Sequence, residues 1–219
     1  MRLRALDAYC GAGGTGMGLS YARFDVDGVD TKLRRRYPFT FHQGDAIEFI
    51  KAHGHEYHLI VAGPPCMRYS RQTKLHGRAV VESHPDLVAE TRDALVAVGT
   101  PWIFENVEGA PLVDPLLLCG SMFGQERLRR HRLFESSDDL TLVAPGPCRH
   151  EIQRDVVSVT GHSGGTSARD GDERFGDKAL WSDLMGIDWM SIRELALAVP
   201  PYYSRWLGLQ AVSQLAVAP

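Results

Sequence analysis

The sequence predicts an α/β fold: a mainly parallel sheet covered by helices on both faces. Three observations predict it. Short apolar runs of strand length alternate with helical patterns through the first half of the 219-residue chain. The first run ends in a glycine-rich turn that opens a helix. Two later runs, at residues 57–62 and 101–104, stop abruptly in residues that carry chemistry, as strands do at the carboxyl edge of a parallel sheet.

The elements follow in order. Residues 3–8 form a first strand, and the turn Tyr9-Cys10-Gly-Ala-Gly-Gly leads into a helix reaching Ala22. Residues 25–30 form a second strand ending in Asp30. Residues 38–45 are a third short segment, followed by a helix over 46–52. The compact strand 57–62 is halted by Gly63-Pro64-Pro65. A helix over 85–98 offers Leu87, Val88, Leu95 and Val98 to one face, and strand 101–104 follows. Residues 161–176 are rich in Gly, Ser, Asp and Thr and read as a loop. Residues 180–209 carry two short helical patterns separated by Pro200-Pro201, with Trp181, Trp189, Trp206 and Met190 read as core.

Composition sets the class. With 44% hydrophobic and 23% charged residues, the chain suits one globular catalytic domain spanning 1–219. No apolar run has membrane-spanning length, and the N-terminus reads directly into a strand rather than a signal peptide. The four cysteines form no CxxC pair, which suits a reducing, cytoplasmic setting and free thiols. A net charge of -3 argues mildly against tight nucleic-acid binding, but Arg127, Arg129, Arg130 and Arg132 offer a local basic face.

Several residues invite a chemical role. The glycine turn lets the backbone approach a ligand, and the helix behind it presents free N–H groups. Asp30 sits where Rossmann-like folds bind ribose hydroxyls, and Asp45 could read an adenine amine. The two prolines give their strand a rigid exit that presents Cys66 at the sheet edge, as a nucleophile or as a buried structural thiol. Glu105 emerges at the same edge, to exchange a proton with a substrate or simply to precede a turn. Cys148-Arg-His150 with the distant His162 falls short of a four-ligand structural zinc site, so no metal is assigned.

Together these segments resemble the cytosine-5 DNA methyltransferases. Asp7-Ala-Tyr-Cys-Gly-Ala-Gly-Gly is similar to their cofactor motif, and Gly63-Pro-Pro-Cys66 with Ser70 to their catalytic Pro-Cys motif. Glu105-Asn-Val107 and Arg130-His-Arg132 are similar to their Glu-Asn-Val and Arg-x-Arg motifs, in the same order along the chain. Segments 191–194 and 198–201 resemble their last two motifs, compressed together. The resemblance implies a Rossmann-like fold and S-adenosylmethionine as cofactor. It implies a binding site of Asp7, Tyr9, Cys10, Gly11, Gly13, Gly14, Asp30, Asp45, Ala46 and Pro64. It makes Cys66, Glu105, Arg130 and Arg132 the catalytic set, with Arg132 on the base O2 and Arg130 in support. The partner implied is double-stranded DNA with a flipped cytosine, and a monomer is expected. Residues 68–83 would then be a mobile closing loop, whose Arg68, Arg71, Lys74 and Arg78 either meet phosphates or form a solvated surface.

The chain also departs from that family. Gln125-Glu-Arg127-Leu-Arg129 fits the Arg-x-Arg pattern literally, but Arg130 and Arg132 precede the expected strand through Leu133-Phe134. Leu197 stands where the family carries Asn beside the cofactor, which leaves room for a variant donor. Only residues 135–179 replace a target-recognition region, so relaxed or very short sequence specificity is expected. RNA or a free cytosine nucleotide as substrate, or a catalytically idle binding protein, stay as alternatives.

Overall fold

The structure, a computed structural model, describes residues 2–75, 77–160 and 177–216; the loop read at 161–176, with His162, lies outside these. Seven strands form one sheet: β1 (Arg4–Ala8), β2 (Asp25–Asp30), β3 (Thr40–Gln43), β4 (Leu59–Ala62), β5 (Trp102–Asn106), β6 (Leu116–Leu118) and β7 (Arg132–Ser136). Their order across the sheet is β3-β2-β1-β4-β5-β7-β6. The first five are parallel, and β7 runs antiparallel between β5 and β6. The predicted class, α/β with a mainly parallel sheet, is the class observed.

The described residues form eight helices: α1 (Gly14–Tyr21), α2 (Ala46–His53), α3 (Arg71–Lys74), α4 (Arg78–Glu82), α5 (Val88–Val98), α6 (Lys178–Met185), α7 (Ile192–Leu197) and α8 (Pro201–Leu215). Of these, α1, α2, α5 and α8 cover the sheet. Alternation along each strand decides which face is covered by what. Ala5, Val61, Ile103 and Phe134 pack against Leu19 of α1 and Tyr203, Leu207 and Ala211 of α8. Their chain neighbours Leu6, Ile60, Ala62 and Phe104 pack against Ile47 and Ile50 of α2 and Leu95 of α5. A third cluster joins Trp181, Met185, Met190 and Leu195 to Ala12 in the glycine turn. Trp181 and Met190 therefore lie in the core.

Local chemistry sets the helix ends. The Asp45 side chain accepts from the Ile47 and Glu48 N–H groups and caps α2. Ser191 and Glu194 form a reciprocal capping box on α7. Three boundaries differ from the sequence reading. α5 begins at Val88, not 85, because the Asp86 carboxylate accepts the Val88 N–H. β5 continues to Asn106, because β7 pairs with it out to Asn106↔Leu133. Pro200-Pro201 does lie between two helices, α7 and α8, but the C-terminal stretch holds three helices rather than two, and α8 runs past 209 to Leu215, since a helix tolerates proline in its first turn and Pro201 starts it. Residues 68–83 are likewise not simply a loop, since α3 and α4 form there. Among the described residues, no helix is long and apolar enough to cross a membrane.

Candidate active site

The carboxyl ends of β1, β2 and β4 converge around the glycine turn. Tyr9 leaves β1 with φ 61°, and Gly11 and Gly13 take φ 52° and 90°. A Cβ added at Gly11 would meet nothing within 4 Å, so the turn faces open space there. Gly14 is the opposite case, because a Cβ there would overlap the Val199 carbonyl. Asp7 is 2% exposed and accepts the Gly16 N–H (2.9 Å) and the Tyr37 hydroxyl (3.3 Å). Burial pushes its carboxyl well above the usual range, against those two hydrogen bonds. Asp7 thus fastens the start of α1 from beneath and does not face the open side. Tyr9 hydrogen-bonds Thr91 on α5 (2.7 Å), and the Cys10 N–H donates to the Val29 carbonyl (3.1 Å).

Asp30 accepts the Gly11 N–H (3.2 Å) and Lys32 N–H (2.9 Å) and pairs with Arg34 at 2.9 Å. The Arg34 Nε is buried and has no hydrogen-bond partner among the described residues. Asp45 uses one oxygen as the α2 cap, which also sets Ala46 as the first residue of that helix. On the far side, the Trp189 indole N–H donates to the Ala12 carbonyl (2.8 Å) and closes the turn.

The second half of the site spans β4, β5 and β7. Gly63 donates to the Ala8 carbonyl (3.2 Å), and the Asn106 amide donates to the Pro64 carbonyl (3.2 Å). Those two bonds fix the chain just ahead of Cys66. Cys66 is half-buried, and its carbonyl accepts the N–H groups of Tyr69 and Ser70. Burial and then Glu105 push its thiol up, while Arg132 and Arg130 pull it down, and the net shift is upward. A Cβ at Gly63 would stand 3.0 Å from Glu105 Oε2, so the missing side chain lets the carboxylate lie beside the β4 exit. Arg132 Nε lies 2.9 Å from Glu105 Oε1, with side-chain exposures of 13% and 12%. Burial also raises the Glu105 carboxyl, opposed by the two arginines.

Arg130 does something else. It is 4% exposed and donates to the carbonyls of Val159, Ala196 and Ala198. Burial and neighbouring Arg132 hold its pKa down to about 9. It ties β7 to the end of α7. Arg127 and Arg129 turn away, donating to the Asp155 carbonyl and to Gln153. In the 68–83 segment, Arg68 pairs with Asp86 (3.5 Å) and Arg78 with Glu82 (2.6 Å), while the Arg71 side chain is outside the described part. Leu197 is 70% exposed at the end of α7.

Sequence reasoning left three contributors without a role: Asn106, Trp189 and Arg34. Asn106 stood inside a recognised segment, yet only the fold shows that it grips the Pro64 carbonyl. Trp189 reaches back 177 residues, a pairing that no local pattern signals. Arg34 stands four residues after Asp30, a spacing that would have suggested the pair had a helix been expected there.

No protein-family model matches the chain. Over 141 residues it is 30% identical to the Type II methyltransferase M.HgiDI of Herpetosiphon aurantiacus, covering 57% of this chain. The match takes in 43% of that protein, so the chain spans less than half the length of this curated relative. Three solved structures share the fold across nearly the whole chain. A prophage-encoded protein from E. coli, described as a candidate DNA modification methyltransferase, aligns over 99% of this chain and 100% of its own, with TM-score 0.61 and 15% identity. The S. pombe Dnmt2 methyltransferase covers 98% and 99%, with TM-score 0.60 and 12% identity. The Entamoeba histolytica methyltransferase EhMeth covers the same shares, with TM-score 0.59 and 10% identity. The chain therefore has the fold of these methyltransferases.

Proposed function

We propose that this protein is an S-adenosylmethionine-dependent methyltransferase that modifies C5 of cytosine in DNA, with low or very short sequence specificity, through a Cys66 adduct. One observation carries the reading: Cys66, Glu105 and Arg132 share one sheet edge, with Arg132 Nε 2.9 Å from Glu105 and both acting on the Cys66 thiol.

The residues around the glycine turn suit the cofactor. Open space faces Gly11, Asp30 ends β2, and the Arg34 Nε beside Asp30, without a partner among the described residues, would be free to donate to an oxygen. Tyr9, Cys10, Gly13, Gly14, Asp45, Ala46 and Pro64 would complete the holding set, with Asp7 acting from beneath. When bound, the cofactor supplies an electrophilic methyl group.

Cytosine C5 is a weak nucleophile until the ring is activated. Cys66 thiolate would add at C6, making C5 enamine-like. Glu105, its carboxyl raised by burial, is suited to give a proton to N3 while its other oxygen accepts from the exocyclic amine. Arg132 would hold both Glu105 and the base O2. Once C5 carries the methyl group, loss of the C5 proton to solvent would re-form the C5–C6 double bond and expel Cys66 as thiolate, with the N3 proton returning to Glu105. Attack on the ring face requires the base outside the stack, hence a flipped nucleotide. The low specificity rests on the short interval between β7 and α6, in which the described residues form one 3-10 turn, at His150–Ile152, as regular helix.

The test is expression in a host without cytosine methylation, followed by mass spectrometry of the nucleosides of its DNA. 5-Methylcytosine that disappears with Cys66→Ala is expected. Unmodified DNA from folded protein, together with a covalent adduct on 5-fluorocytosine RNA or nucleotide, would move the substrate away from DNA. No adduct on any carrier would end the nucleophile assignment.

A further inference from the structure

We propose that Cys119, His131, Cys148 and His150 form a closed site for one structural zinc ion, outside the catalytic set. The four side chains come from separate places: Cys119 follows β6, His131 stands directly before β7, and Cys148 and His150 lie well beyond β7. The fold brings their ligand atoms within 4.8 Å of one another. Cys119 Sγ is 3.3 Å from His150 Nε2, His131 Nε2 is 3.1 Å from His150 Nε2, and Cys148 Sγ is 3.7 Å from His131 Nε2. A tetrahedral zinc with bonds of about 2.3 Å to sulfur and about 2.0 Å to nitrogen needs ligand-to-ligand edges of roughly 3.3–3.8 Å. These three edges lie near that range and the others do not exceed 4.8 Å, so a contraction of the cluster by about an ångström or less would admit the ion.

The surroundings fit a metal better than a hydrogen-bonded cluster. Glu108 Oε2 is 3.1 Å from His131 Nδ1, which puts the proton on Nδ1 and turns the Nε2 lone pair inward. A carboxylate behind a ligating histidine is the usual support for a metal-bound imidazole. The Ser121 hydroxyl donates to Cys119 Sγ (3.4 Å) and is itself held by the Arg149 N–H (3.1 Å), so the sulfur has a donor suited to a thiolate. Two thiolates and two imidazoles select zinc among the common divalent ions. All four positions come from protein, as in structural rather than catalytic zinc sites.

The ion would fasten the end of β6, the start of β7 and the segment around residue 149. His131 lies between Arg130 and Arg132, so the metal would anchor the strand that carries Arg132 to Glu105. Metal binding stands or falls independently of the proposed reaction.

The test uses the full chain, purified without a histidine tag or chelator from zinc-supplemented cells. Elemental analysis should find one zinc per chain, released when the thiols are blocked with a mercurial and lost in Cys119→Ser, Cys148→Ser and His150→Ala. Cys66→Ser should keep it. Because those variants could fail to fold, the chelated wild type is also titrated with Co²⁺. The thiolate charge-transfer band and strong visible bands of tetrahedral Co²⁺ should saturate at one equivalent and be displaced by Zn²⁺. The proposal is overturned by a zinc-free wild type with no tetrahedral Co²⁺ spectrum, or by zinc retained in the Cys119→Ser/Cys148→Ser double variant. A freshly purified chain short of two hydrogens, with Cys119 and Cys148 in one disulfide-linked peptide, would also overturn it.

Discussion

Arg132 and Glu105 lie on neighbouring antiparallel strands and meet at 2.9 Å with little solvent around either. Removing one partner leaves the other charge buried and unpaired. Arg132→Ala should therefore cost roughly 3 kcal/mol of stability as well as activity. Glu105→Gln keeps a hydrogen-bond acceptor for Arg132, so its stability loss should be smaller. Its methylation rate should fall by about 10²–10⁴, the usual contribution of a positioned acid. Urea unfolding and 5-methylcytosine yield separate the two effects. Equal activity in Glu105→Gln and wild type would remove Glu105 from the chemistry.

Cys66 carries a thiol pushed above its ordinary value by burial and by Glu105. The free protein should thus hold it protonated at neutral pH. Iodoacetamide labelling of Cys66 should keep rising with pH beyond the point where an ordinary thiol levels off, since only the thiolate reacts. A plateau below pH 8, followed by peptide mass spectrometry, would show that the arginines outweigh burial.

Asp7 is buried with its carboxyl raised well above the usual range. The folded chain then holds that proton more tightly than the unfolded one. Its contribution is fully present below the unfolded pKa and is lost as pH rises through the folded pKa. Asp7→Asn removes this dependence while its amide oxygen can still accept the Gly16 N–H. The melting temperature of the variant should gain on wild type as pH rises from about 5 to about 8. A gap that narrows with pH would contradict the buried, raised carboxyl.

Two glycines, Gly11 on the turn and Gly18 within α1, should fail differently. A Cβ at Gly18 would overlap the Pro201 carbonyl and the Ser204 hydroxyl, so Gly18→Ala should cost about 1–3 kcal/mol through overpacking. Gly11 has open space but φ 52°, so Gly11→Ala should cost about 1–2 kcal/mol through backbone strain alone. Cofactor affinity, read by calorimetry, should drop more sharply for Gly11→Ala, whose Cβ enters the open side. The reverse ranking would put the ligand elsewhere.

Features written within a few residues of one another were legible in the sequence. The glycine turn and Cys66 follow the ends of β1 and β4 and Asp30 ends β2, so pattern alone placed all three at the carboxyl edge of the sheet. Pairings across the fold were not legible. The Asp30 carboxylate was placed, but not the Arg34 partner that shares it. Arg130 and Arg132 were named together, yet one grips three backbone carbonyls and the other a carboxylate. β6 escaped notice because three residues paired on one edge give no periodic signal. Cys119 and His131 escaped for a similar reason, since the turn geometry that sets them beside Cys148 leaves no spacing to count.

The packing of α1 against α8 sets an order of events during synthesis. α1 is nearly all glycine and small residues on its buried side, and what fills the space above it is Pro201, Ser204 and Gly208. The glycine turn therefore has no lid until α8, far along the chain, has emerged. Contacts between such distant segments form late and slowly, because the loop between them must be closed before they reward it. A nascent chain stalled before residue 201 would expose the apolar strands of the sheet on that face, and it is there that a chaperone would find its grip.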